Sequence, residues 1–139
     1  MKIVSRNLLL FAFLMLVYTI LFRFGLSSLL TSEKWIWLIP LSVIYGVIVF
    51  VTAWMTGKRD GINNFLFDAG FRWNLTTFIA WGVASEAWFL LGFHSKHETI
   101  RIVHITLLIW SGFLLLHLIL FLILRKRTIK GIHKSNIFK

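Results

Sequence analysis

Residues 81–92 read WGVASEAWFLLG and set a carboxylate, Glu86, inside an apolar run between Trp81 and Trp88. A charged side chain at mid-bilayer costs at least about 2.5–3.5 kcal/mol, so it needs a partner or a polar cavity. Arg23, inside an earlier apolar run, is the matching cation. Two readings follow. Arg23 and Glu86 form a buried ion pair that fixes helix register. Alternatively, Glu86 is a proton or cation site, with Trp81 and Trp88 offering aromatic faces to a lipophilic cation. At 1.5 Å per helical residue, Arg23 lies about 24 Å along its run and Glu86 about 20 Å along its own, counted from the same side. Ser42, Tyr45 and His104 fall in the same slab, and Ser85 stands next to Glu86. The candidate ion or substrate site is therefore Glu86, Arg23, Ser42, Tyr45, Trp81, Ser85, Trp88 and His104.

The stretch FHSKHETIRIVH, residues 93–104, carries a second group. On a continued helix His94, His97 and Glu98 share a face, and His104 can fold back towards it. Imidazoles with a carboxylate suit zinc or another borderline divalent ion. The same groups also suit a pH-responsive cluster, or simple solvation. Cysteine is absent, which excludes disulfides and thiolate ligands. The nucleophile-elbow, zinc-protease, P-loop and dinucleotide-binding patterns are absent as well. Ser85 and Glu86 do not make a catalytic pair, because adjacent helical residues point about 100° apart. No catalytic residue and no cofactor is expected.

The elements that position these residues follow from composition. Of 139 residues, 58% are hydrophobic and 14% charged, too few polar groups to cover so small a chain in water. Four apolar runs, at about 7–30, 35–56, 73–93 and 102–124, approach the roughly 20 residues that a bilayer core requires. The expectation is an all-α integral membrane four-helix bundle over residues 1–124, followed by a basic tail, 125–139. Short connections make spans 1 and 2, and spans 3 and 4, antiparallel hairpins. The link 57–71 is longer, with Ile62, Phe65, Leu66 and Ala69 at helical spacing, and predicts a short interfacial helix.

Fifteen lysines and arginines against five acidic residues give a net charge of +10. All of the basic residues except Arg23, Lys34, Lys96 and Arg101 fall on one side of the four spans. The positive-inside rule places both termini in the cytoplasm of a plasma or inner membrane. Lys58, Arg59, Arg125, Lys126, Arg127 and Lys130 then meet anionic lipid head groups, and nucleic acid is not an expected partner. Small-residue stripes, such as Ala80, Ala84 and Ala87 in span 3, serve helix packing and point to a homo-oligomer or a larger complex. Two functions remain in play. One is a small transporter or channel with an outer-half proton or cation site at Glu86. The other is a non-transporting accessory subunit, or a membrane-anchored interaction or immunity-type factor, with a structural Arg23–Glu86 pair.

Overall fold

The computed structural model describes residues 4–64 and 69–131, and they are all-helical. The order is α1 (Arg6–Thr31), a 3₁₀ turn (Trp35–Trp37), α2 (Leu38–Asn64), α3 (Ala69–Leu90) and α4 (Ile100–Gly131). Three helical stretches are long and apolar enough to cross a membrane: Arg6–Thr31, Trp35–Arg59 and Ile100–Ile123. The expected fourth span, 73–93, falls on α3, which ends at Leu90 and is not among those three. Asn74, Thr76, Thr77, Ser85 and Glu86 dilute its apolar character.

Local chemistry sets the helix ends. Ser5 caps α1 by accepting the Leu8 N–H at 3.1 Å, which satisfies one of the donors left over in a first turn. Pro40 sits in the first turn of α2, where a missing N–H leaves no intrahelical acceptor unused. Helices α1 and α3 finish in the same double hydrogen-bond motif. In α1, Glu33 N–H donates to Leu30 O and Lys34 N–H to Leu29 O; in α3, Gly92 N–H donates to Phe89 O and Phe93 N–H to Trp88 O. The motif requires a left-handed residue. Gly92 adopts φ 74° without a Cβ penalty, whereas Glu33 is held at φ 57° with a side chain in place. The α3 motif also closes with a ring contact, Trp88 to Phe93 at 5.2 Å.

Helix α1 packs on α2 and α3, α2 also touches α3, and α4 packs on α3 alone among the described helices. The assembly is therefore not a closed square. The inner core joins α1 and α3 through Phe11, Met15, Trp73 and Ala80, flanked by Val49 and Ala53 of α2. Trp73 Nε1 donates to Thr56 Oγ1 at 2.7 Å, tying α3 to α2. On the other side, a Cβ added to Gly82 would lie 3.2 Å from Leu107 Cδ2, so glycine lets α4 approach closely. Nothing along the most apolar stretch of α2 is buried.

Two expectations for the connecting segments differ from the structure. Residues 57–64 continue α2 without a break, because nothing there interrupts the helical ladder. Residues 65–68, the centre of the expected interfacial helix, lie outside the described residues. The segment expected as a separate tail is helical as far as Gly131. Residues 132–139 lie outside the described residues.

Candidate functional site

Helix α1 presents a buried spine in steps of four: Phe11, Met15, Thr19, Arg23 and Ser27. Its lower half is apolar and its upper half polar, so the charge lies about 12 Å below the last residue of the helix. Thr19 Oγ1 donates to Met15 O at 2.7 Å. Having spent its one proton there, Thr19 accepts from Tyr45 OH of α2 at 3.0 Å. The Tyr45 ring stacks on Phe22 at 4.5 Å.

Arg23 is the centre of the network. Its Nε and one terminal nitrogen both donate to Ser85 Oγ of α3, at 3.1 and 2.7 Å. The guanidinium lies over the Trp81 ring, 5.2 Å from the centroid. Its other terminal nitrogen stands 3.6 Å from Glu98 Oε2, an ion pair beyond hydrogen-bond length. The two side chains are only 6% and 5% exposed.

Glu98 arrives from the loop between α3 and α4. The turn at Gly92 sends the chain back over the bundle, and Ser95 and Glu98 close a reciprocal loop. Ser95 N–H donates to Glu98 Oε1 at 3.0 Å, and Glu98 N–H donates to Ser95 O at 3.0 Å. Ser27 Oγ of α1 also donates to Glu98 Oε1, while itself accepting Trp88 Nε1–H at 3.0 Å. One carboxylate oxygen is thus fixed from two directions. The other, Oε2, is buried and has no hydrogen bond.

Glu98 is also one of the residues lining a cavity of about 320 Å³. Arg23 and Leu26 of α1, Trp81 and Phe89 of α3, and Val103 and Thr106 of α4 form its walls. The space exists because α1 and α4 do not approach each other, so the loop roofs a gap that helices leave open.

The expected Arg23–Glu86 pair is not formed. Glu86 Oε1 meets His104 Nε2 of α4 at 2.8 Å, with the two side chains 43% and 58% exposed. The physical reason is azimuth. Ser85 takes the α3 position facing α1, and the next residue is rotated about 100° away, onto the α4 side. Ser42 is also outside the site: it is exposed on α2 and donates to Leu38 O at 2.8 Å. Of the expected set, Arg23, Ser85 and Trp81 come together. Trp88 joins them through Ser27, and Tyr45 lies one turn below through Thr19.

The expected metal group is dispersed. His94 stacks on Phe89 at 4.7 Å, His97 meets Trp35 edge-on at 5.7 Å, and Glu98 turns to Arg23. Among the described residues no three acidic, histidine or cysteine side chains converge on one point. Lys58 and Arg59 are exposed near the end of α2, and residues 125–130 continue α4. The sequence reading passed over Thr19 and Ser27, although their spacing around Arg23 placed them on its face. Glu98, expected beside His94 and His97, faces Arg23 instead, a placement that nothing in a loop sequence gives.

Chemically, Glu98 Oε2 keeps an unused acceptor capacity while Ser85 and Trp81 hold Arg23. Comparison with known proteins finds no matching family model, curated protein or solved structure, so the functional reading rests on this geometry.

Proposed function

We propose that the chain is a small polytopic protein of the plasma or inner membrane, with four crossings and both termini cytoplasmic. It acts as a transporter or channel, and its proton- or cation-binding group is Glu98 rather than the expected Glu86. The observation that carries this reading is the buried, hydrogen-bond-free Oε2 of Glu98, a residue that lines the outer cavity, beside a guanidinium that has alternative partners. Neutralising Glu98 by a proton or a cation leaves the buried Arg23 charge held only by Ser85 and the Trp81 face, so the neutralised state is the higher in energy and returns readily to the paired one. Helix α3, at 22 residues and about 33 Å, is long enough for the fourth crossing, with Ser85 and Trp88 turned inward.

Flux of protons and small cations into proteoliposomes tests the function, with flux expressed per folded protein. Glu98→Gln abolishes it and Glu86→Gln leaves it largely intact. The reverse pattern returns the site to Glu86. Reporters active only in the cytoplasm, fused after residue 139 and within the Lys96 loop, test topology: activity at 139 and silence at the loop is the expected result.

The unburied apolar stretch of α2, and the outward side of α4, favour a second reading as an accessory or interaction subunit. Absence of flux in every condition, with a homo-oligomer or larger complex retained in native mass spectrometry, selects it.

A further inference from the structure

Between α2 and α3, towards the Lys58 end of α2, lies a groove of about 790 Å³. Gly46, Val49, Ala53 and Gly57 of α2 line one wall, and Trp73 and Thr77 of α3 line the other. Lys58 stands at one end, with exposed Arg59 beside it, and Trp54 lies a turn away. We infer that this groove binds one acyl chain of an anionic phospholipid, with the phosphate held at Lys58. The inference is independent of the cavity at Glu98 and rests only on the chain lying in a membrane.

Length is the first argument. From Lys58 to Gly46 the helix rises about 18 Å, close to the ~15 Å depth of one leaflet of hydrocarbon. The groove therefore starts where a head group sits and ends near the bilayer centre. Its width is the second. A Cβ on Gly46 would meet nothing within 4 Å, and one on Gly57 only the Trp73 ring at 3.9 Å, so the slot is open along its length rather than filled by side chains. The third is chemistry. The walls are largely apolar, and the single charged residue among the described lining residues, Lys58, stands at one end with Trp54 a turn away, as a head group with its interfacial aromatic requires. A second copy of α2 fits less well: a symmetric parallel contact through this wall would bring two Lys58–Arg59 pairs together.

Native mass spectrometry of the full chain, released from detergent with defined lipids, provides the test. With equimolar phosphatidylglycerol and phosphatidylcholine, one phosphatidylglycerol is expected to be retained preferentially. Lys58→Gln should reduce that preference about fivefold while a lipid is still retained, the effect of one juxtamembrane cation. Gly46→Leu and Gly57→Leu place side chains in the open slot, so both should fold and release lipid of either head group. Retention unchanged in both glycine variants overturns the inference. So does a dimer that becomes monomeric in Gly46→Leu, which assigns the groove to a second copy. If either leucine variant lowers the detergent melting temperature, Lys58→Gln alone decides: an unaltered head-group preference rejects the site.

Discussion

Glu86 and Glu98 lie at the same end of the bundle and each meets a nitrogen-bearing side chain, yet their situations are opposite. Glu86 reaches His104 at 2.8 Å with both side chains about half exposed. Glu98 stands 3.6 Å from Arg23 with both nearly sealed from the surface. The longer contact matters more. A pair on the outside of the bundle is free to rearrange when one partner is lost, because no packed neighbours hold it in place. A buried pair that loses one member leaves an uncompensated charge, and the penalty of that state exceeds the attraction that was lost. Distance alone would have ranked the two the wrong way round.

Breaking the buried pair gives the largest expected effect. Arg23→Met should destabilise the fold by about 3–5 kcal/mol by stranding Glu98. Combining it with Glu98→Gln should recover much of that loss, giving a strong coupling in a double-mutant cycle of detergent melts. Strictly additive effects would show that the 3.6 Å contact is incidental. Ser85→Ala comes next. It removes the acceptor of two guanidinium N–H groups and should cost about 1.5–3 kcal/mol, read from the same melts. A smaller loss would mean that water or the Trp81 face replaces the hydroxyl.

The two helix ends offer a smaller test, with the opposite sign. Glu33 occupies the left-handed position that Gly92 fills in α3. Glu33→Gly should therefore stabilise the protein by about 0.5–1 kcal/mol, the left-handed penalty less the added chain entropy. Destabilisation would imply that the Glu33 side chain is held by a contact of its own. Smallest of all, Glu86→Gln should change stability by about 1 kcal/mol or less. A loss as large as that of Arg23→Met would place Glu86 in the interior after all and erase the contrast between the two carboxylates.

The sequence alone determined an all-helical chain with long apolar runs, because length and hydropathy are local properties; of the four runs expected to span, three are helices long and apolar enough to do so in the structure. It also placed Arg23 and Glu86, with Ser85 beside it, in one slab, since rise along a helix is 1.5 Å per residue whatever surrounds it. The α1 spine of Thr19, Arg23 and Ser27 was legible too, in its spacing of four. What height does not give is rotation. One step along α3 separates Ser85, facing α1, from Glu86, facing α4, and only helix packing chooses between them. Nor does a loop sequence contain the direction in which it returns. Gly92 permits the turn, but Ser27 and Arg23 on another helix, far away in the chain, draw Glu98 down onto the bundle. Depth was written in the sequence; azimuth and loop re-entry were decided by tertiary contacts, because they depend on which surfaces are already occupied.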